Sequence, residues 1–541
     1  MSLWKCIKRQ RRLSLITLFW QIVGAGCTTM YGLGSANIVT NIVKLNLRAV
    51  ILWLVVLELT NIVWGWQIVA NETSMERWVQ AMDQDIRQQI VVNLSRLPYA
   101  DYHQQDQATY LSWVTNDINT INDYGFETLA LVVSQGLTIV MSIGAIIQFH
   151  YSLIITIALL LAVMLTAPRV FTKKMNAAAL KSSHSAEQLT KSFTDLFGGF
   201  DELMQLNRQK AAVKFTKGAT TNFATSKIAQ ARTSGRMMGA SNFISLTSQV
   251  IVMAHACALF FAKLVPVGAI SGARYFSATI FANLTGLMAN LVEMKTVEPI
   301  FAKYTQVTAS PHISTTTAAP AQLAPATVSL EDVTFTYDDK PILQDFSYTF
   351  TAQQKYAIIG PSGVGKSTLL NLLAGRLIPT TGTVTLAGQD YQQLPAPQIR
   401  EQIVYLSQQP HIFSATLGFN IMLDAPEDPE RLQAALHFSG LDQMPQVFPA
   451  GVATEIIQSG QQLSGGQRER IALARGFYQQ RKIWLVDEAT ASLDPQAATA
   501  IETALLQLSD VTLIVVSHHF ANPDFITAVD GVLDFNQSQN I

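Results

Sequence analysis

Six stretches of this chain carry almost no charge, and each is long enough, or nearly so, to cross a bilayer. Leu13–Ser35 has no charge and Ala49–Ala70 only Glu58. Leu129–Phe149 and Tyr151–Pro168 have none. Phe243–Ala262 has only His255, and Tyr275–Val292 none. A helix needs about 20 mainly apolar residues to span a ~30 Å hydrocarbon core. A soluble fold would have to hide all six within residues 1–306. We therefore expect a six-span α-helical membrane domain over 1–306, with spans of about 13–35, 49–70, 129–149, 151–171, 243–264 and 268–292. Composition agrees. The chain is 49% hydrophobic and 14% charged, against about 25% charged in an average soluble domain. That excludes a disordered chain and argues against a wholly soluble enzyme. With 37 basic and 38 acidic residues there is no basic field to attract nucleic acid. Cys6, Cys27 and Cys257 are too few and too scattered for a disulfide framework or a zinc site.

Lys5, Lys8, Arg9, Arg11 and Arg12 precede the first span, which predicts a cytoplasmic N-terminus. A signal peptide is the competing reading, but the apolar stretch is too long and no small-residue cleavage site follows it. Loops 71–128 and 169–242 are then cytoplasmic, polar and helical, and the outer loops are short. The chain is expected in the cell membrane as a multi-pass protein. Residues 307–326, VTASPHISTTTAAPAQLAPA, mark a linker. From 327 to 541 short apolar strands alternate with helices, which predicts an α/β domain with a parallel sheet.

The strand Tyr356–Ile359 runs into Gly360-Pro361-Ser362-Gly363-Val364-Gly365-Lys366-Ser367-Thr368 and then a helix. This is G-x-x-x-x-G-K-[ST] in its strand–loop–helix setting, the phosphate-binding loop. Glycines let backbone N–H groups wrap a phosphate, and the helix N-terminus adds partial positive charge. Lys366 is expected at the β- and γ-phosphates and Ser367 at Mg2+. Farther on, the apolar strand Ile483–Val486 ends in Asp487-Glu488. A buried strand ending in two carboxylates suits a metal–phosphate site, Asp487 holding Mg2+ and Glu488 serving as general base. The alternative is two acids at a helix start, favoured by its dipole.

Just ahead of that pair, LSGGQRERIALAR (Leu463–Arg475) resembles the signature of ATP-binding cassette (ABC) proteins. The resemblance implies roles for further residues. Tyr337 would stack on adenine. Gln408, within YLSQQPHIF, would link Mg2+ and the γ-phosphate to the membrane part. Leu463, Ser464, Gly465, Gly466 and Gln467 would contact nucleotide held by another chain. Ser492, Leu493 and Asp494 would form the loop touching the partner's site. His518 would sense the γ-phosphate, with His519 as the neighbouring alternative. Segments 97–124 and 192–206 resemble two coupling-helix regions, with Gly199 at the usual glycine. One departure stands out: where exporters of the family show T-x-V-G-E-x-G, this chain has Thr454-Glu455-Ile456-Ile457-Gln458-Ser459-Gly460. Only 12 residues precede the first span, which disfavours members that trim a leader peptide.

Six spans and one cassette resemble an exporter-type half-transporter. The resemblance implies an ATPase that uses ATP and Mg2+, pairs with a second identical or homologous half-transporter, and moves a small-molecule, lipid or peptide substrate by alternating access. An importer on the same fold and an ATP-gated channel or regulator are the alternatives; a soluble DNA-repair cassette is excluded. Glu58 and His255, placed near the middles of spans two and five, are candidates for the substrate path, because polar groups inside a bilayer are expensive. A helix–helix hydrogen bond is the structural alternative for each. Arg274 is expected to snorkel, and Trp53, Trp64 and Trp66 to pack or sit at the interface.

Overall fold

Some of the charge-poor stretches lie within helices much longer than a bilayer requires, of 49 and 52 residues for the second and fifth, whereas the fourth falls mostly in a helix of 16. The structure, a computed structural model, describes residues 3–166, 169–308, 327–337, 340–488, 490 and 492–535. Two units emerge. The first comprises Met1–Ser95 and Gln107–Ala309; the second comprises Arg96–Asp106 and Ser310–Ile541.

The first unit is helical. A short helix, α1 (Leu3–Arg9), leads into α2 (Arg11–Val43) and α3 (Leu47–Ser95). At about 1.5 Å per residue, the 49 residues of α3 extend about 74 Å, more than twice the hydrocarbon thickness. After α4 (Tyr99–Tyr102) come α5 (Gln107–Val114), α6 (Asn116–Ile121), a single π-helical turn (Asn122–Glu127) and α7 (Thr128–Ile147). Then follow α8 (Tyr151–Thr166), α9 (Arg169–Gly198), α10 (Phe200–Gln205), α11 (Lys210–Phe261), α12 (Gly268–Glu293) and α13 (Glu298–Thr308). Among the described residues five helical stretches are long and apolar enough to cross a membrane, and α8 is a shorter apolar helix. The expected end of the fourth span at 171 runs past Thr166 into residues 167–168, which lie outside the described residues; α9 begins at Arg169. The helix α13 takes the first two residues of the expected linker, and 309–326 lie outside the described residues.

These helices are apolar on the outside. The most apolar window of α3 has no buried residue, and the corresponding windows of the other four are 22–28% buried. Polar side chains instead tie helices together inside. Gln21 donates to Ala130 O at 3.2 Å and Gln67 to Trp20 O at 2.9 Å. Outside the most apolar windows the helices share an ordinary core. Trp78, Met82, Ile86, Trp113, Ile121 and Phe126 pack with Val297, Phe301 and Tyr304. Lys303 closes it with an ion pair to Asp117 at 2.7 Å, its ammonium 4.9 Å from the Trp113 ring centroid.

The second unit holds two sheets. Strands β1 (Val328–Tyr337), β2 (Lys340–Phe350), β4 (Thr381–Leu386) and β5 (Gln389–Asp390) form an antiparallel sheet in the order β2-β1-β4-β5. Strands β3 (Lys355–Ile359), β6 (Ile403–Leu406), β7 (Ile483–Asp487), β8 (Thr512–Val516) and β9 (Gly531–Asp534) form a parallel sheet in the order β6-β7-β8-β3-β9. Its central strands are continuous apolar runs because both faces are covered. All five residues of β8 are buried. Helices α14 (Lys366–Leu373), α15 (Ala396–Gln402), α16 (Leu417–Met422), α17 (Pro429–Ser439), α18 (Gly465–Gln479), α19 (Pro495–Gln507) and α20 (Phe525–Ala528) complete it. The carboxyl ends of β3, β7 and β8 meet at one edge, where open α/β sheets bind ligands.

Candidate active site

The phosphate loop leaves β3 at Gly360 and enters α14 at Lys366. Two glycines are required by geometry. Gly360 has φ +152°, and a Cβ there would stand 2.7 Å from Phe535 Cβ; Gly365, the N-cap of α14, has φ +105° and faces Ile342. A side chain at either would be strained. Lys366 is buried and folds back over its own loop, donating to Gly360 O at 2.7 Å and Pro361 O at 2.8 Å. Burial pulls its ammonium below the usual lysine range, while the Glu488 and Asp487 carboxylates hold it up.

Parallel pairing brings the second half of the site alongside. Asp487, at the end of β7, lies level with Val516 of β8, which adjoins β3. Asp487 Oδ1 accepts from Ser367 Oγ at 3.5 Å, and Oδ2 accepts from the Tyr405 hydroxyl at 3.0 Å. Glu488 has a left-handed backbone, φ +52°, and its N–H donates to Val516 O at 3.0 Å. Its carboxylate has partners other than those of Asp487. Oε2 accepts from Gln408 Nε2 at 2.7 Å, and Oε1 lies 3.1 Å from His518 Nε2. Ser362 Oγ is also 3.2 Å from His518 Nε2. Of the two adjacent histidines, His518 is the one beside Glu488. The backbone of His519 bonds to Ser517, with Ser517 Oγ donating to His519 O at 2.6 Å, and only His518 reaches Glu488. Gln408 meets Glu488 rather than the proposed metal ligands Asp487 and Ser367. Tyr337 ends β1, and its side chain lies outside the described residues.

The signature residues lie elsewhere on the same unit. Ser464 is the exposed N-cap of α18 and forms a capping box with Gln467: Ser464 N–H donates to Gln467 Oε1 at 2.8 Å and Gln467 N–H to Ser464 Oγ at 3.2 Å. Leu463 anchors the turn by burial. Gly465 and Gly466 let α18 approach Ser492 and Leu493, since a Cβ at either would fall within 2.9 Å of those side chains. Asp494 caps α19, accepting from Ala497 N–H at 3.0 Å. Among the described residues no hydrogen bond joins 463–467 to the phosphate loop of the same chain. Thr454–Gly460 packs along the segment after Gln408: Ile456 N–H donates to Ala415 O at 3.0 Å and Ser459 N–H to Ser414 Oγ at 2.9 Å. Gln458 and Ser459 are both left-handed there.

Three residues were not singled out in the sequence. Tyr405 and Arg376 sit behind Asp487, with the guanidinium 3.8 Å from the Tyr405 ring centroid. Glu469, 2% exposed, accepts from Ser492 N–H at 3.1 Å and joins α18 to the loop before α19. Burial raises its carboxyl above the usual range. The period of α18 could have flagged Glu469 as inward-facing, whereas Tyr405 becomes apparent only from strand register.

The two membrane candidates differ. Glu58 is exposed on α3 and has no hydrogen-bond or ion-pair partner among the described residues. His255, expected near the middle of span five, is held between two helices. It lies two turns from the end of α11, beside the first turns of α8, with Nε2 3.2 Å from Ser152 Oγ and Nδ1 2.7 Å from Thr156 Oγ1. Both ring nitrogens are engaged in tying α8 to α11, the structural alternative for this residue.

Comparison with known proteins adds the following. Residues 15–284 match the family described as ABC transporter transmembrane region, and 343–491 match ABC transporter. An ATP-dependent lipid A-core flippase of Chromobacterium violaceum is 26% identical over 464 residues, covering 83% of this chain and 78% of that protein. The mycobactin import ATP-binding/permease protein IrtB of Mycolicibacterium smegmatis is 36% identical over 228 residues. That match covers 41% of this chain and only 40% of the importer's length. The solved structure of a bacterial Atm1-family ABC exporter with ATP bound superposes with a TM-score of 0.80 at 20% identity, over 97% of this chain and 93% of the other; at that identity the likeness concerns the fold.

Proposed function

Since this chain belongs to the ABC transporter family, we propose that it is a half-transporter whose cassette hydrolyses ATP to drive export of a small-molecule, lipid or peptide substrate across the cell membrane. The observation that carries the chemistry is the meeting of the phosphate loop with Asp487-Glu488: Ser367 reaches Asp487, while Gln408 and His518 hold Glu488. Lys366 would leave its own loop carbonyls for the β- and γ-phosphates. Glu488 would take the proton of the attacking water, with His518 and Gln408 orienting it. The donor set fits Mg2+. Ser367 Oγ and Asp487 Oδ1 are hard oxygen ligands close enough to share one cation that keeps several waters. When bound, the ion neutralises charge on the phosphates.

The rest of the site would come from a second copy or a homologous chain. Ser464, the N-cap of α18, is exposed and the first turn of the helix half-buried, and among the described residues neither hydrogen-bonds to the phosphate loop of the same chain, leaving the partial positive charge of the helix end unmet there. A head-to-tail dimer gives two composite sites. Six spans, with the N-terminus and the cassette in the cytoplasm, follow from Lys5–Arg12 and the positive-inside rule. Glu58, exposed and without a hydrogen-bond or ion-pair partner among the described residues, is best suited to a water-filled cavity or the partner.

Import is the second reading, supported by the 36% identity of part of this chain to the mycobactin importer. Inside-out membrane vesicles decide between them. ATP-dependent accumulation of a fluorescent lipid, a peptide or a hydrophobic dye means export. ATP-dependent release of a preloaded ferric siderophore means import. If none of these moves and none stimulates the ATPase, the transporter reading fails in favour of a channel or regulator.

A further inference from the structure

Asp487 is held from behind by a stack of side chains. The Tyr405 hydroxyl donates to Asp487 Oδ2 at 3.0 Å, leaving Oδ1 on the side of Ser367. Strand register explains the meeting. Tyr405 of β6 pairs with Leu485 of β7, so Asp487, two residues on, lies on the same face of the sheet and diagonal to the ring. Tyr405 is itself covered. The Arg376 guanidinium lies 3.8 Å from its ring centroid and 5.0 Å from that of Tyr99 in the segment Arg96–Asp106, which belongs to the same unit. An arginine between two aromatic faces is held by both. Arg376 also supports the other side of the site. Its Nη1 donates to Asn371 Oδ1 at 3.4 Å, and Asn371 Nδ2 donates to Ser367 O at 2.8 Å, one turn back along α14.

We propose that Tyr405 and Arg376 are positioning residues for the metal-holding pair Ser367 and Asp487, fixing the Asp487 carboxylate so that one oxygen is tied to the tyrosine and the other is free for the cation. The inference rests on the nucleotide-site reading above. Its physical basis is that a carboxylate bonded at one oxygen loses rotational freedom and is pre-aimed, whereas a free one must be ordered when the cation binds. Outer partners of this kind commonly change metal affinity by 10–100-fold.

The test titrates Mg2+ into the full-length purified protein with a fluorescent ATP analogue and reads nucleotide binding, with a parallel series in EDTA. Tyr405→Phe keeps the ring and loses the donor. It should leave binding in EDTA at the wild-type level and raise the Mg2+ concentration for half-maximal binding by about tenfold. Arg376→Met should shift the midpoint in the same direction, and Arg376→Lys, which keeps a cation on the ring, should restore most of it. A wild-type Mg2+ midpoint in either Tyr405→Phe or Arg376→Met overturns the proposal, even if the melting temperature falls, because a packing role alone would lower stability without moving the midpoint. Lys366→Ala run alongside separates the two levels. If it binds nucleotide like wild type, the site reading itself has failed. If it loses binding while Tyr405→Phe has a wild-type midpoint, only the positioning role has failed.

Discussion

Gln408 Nε2 and Glu488 Oε2 are joined by a 2.7 Å hydrogen bond at the edge of the parallel sheet. The two residues are 80 positions apart. Gln408 follows β6 and Glu488 follows β7, and these strands are adjacent. The glutamine therefore sits on the carboxylate proposed as general base, so any movement of the segment after β6 acts directly on that carboxylate.

Replacing Glu488 by glutamine should preserve ATP binding and slow hydrolysis by at least a hundredfold, since a general base typically contributes 10²–10⁴. The amide keeps the shape and can still meet Gln408 and His518, but it accepts no proton. Cross-linking of cassettes should reveal an ATP-stabilised dimer. Turnover at the wild-type rate would remove Glu488 from the mechanism.

Lys366→Ala should abolish hydrolysis. The ammonium now held by Gly360 O and Pro361 O would be lost to the phosphates, at about 1.5–3 kcal/mol per charge-assisted bond, or roughly ten- to a hundredfold in affinity. Equilibrium binding of a labelled nucleotide measures the change. Because the side chain is buried, a melting curve should accompany it.

Ser464→Ala should act on the other chain's nucleotide. Mixing it with Lys366→Ala chains creates one doubly damaged composite site and one intact site if the partners are identical. Partial recovery of ATPase activity is expected once subunit exchange is verified. No recovery would count against head-to-tail sites. The capping bond to Gln467 is lost as well, at about 1 kcal/mol, so stability must be followed in parallel.

Glu469→Gln should alter the pH dependence of stability. Burial raises the carboxyl of Glu469 in the folded chain, so the fold favours the protonated acid. Its contribution is most favourable below the unfolded pKa of about 4.3. It is lost as pH rises through the raised folded value. Glutamine still accepts from Ser492 N–H without carrying charge. The melting midpoint of the variant relative to wild type should therefore rise as pH climbs from below about 4.3 through the raised folded value. A constant difference would show that Glu469 does not titrate in this range.

Glu58→Gln should change transport more than basal ATPase activity. An acid at mid-span, where the sequence pattern puts Glu58, costs about 2.5–3.5 kcal/mol on insertion scales, and among the described residues Glu58 has no partner to offset that. Preference between cationic and neutral substrates in vesicles is the measurement. An unchanged profile in a well-folded variant would leave Glu58 as a tolerated helix-surface acid.

The membrane helices, the phosphate loop, the strand-end carboxylates and the signature were legible because each is written in consecutive residues. A charge-free run excludes itself from water wherever the chain goes. Gly360 and Gly365 permit a backbone that other residues resist, and Ser464 and Gln467 cap their own helix. Other features depended on which distant segments pack together. His518 rather than His519 reaches Glu488 because Ser517 turns the chain after β8. His255 is tied to α8 by Ser152 and Thr156, 103 and 99 positions away, a pairing invisible in the composition of either helix. Tyr405 finds Asp487 through the register of two parallel strands, and Arg376 finds Tyr99 because Arg96–Asp106 groups with the second unit rather than with the helices it connects. Local sequence sets what each segment must become. Long-range neighbours are settled only when all segments bury their apolar faces at once, so the parts of the site were determined by sequence and their contacts by the tertiary fold.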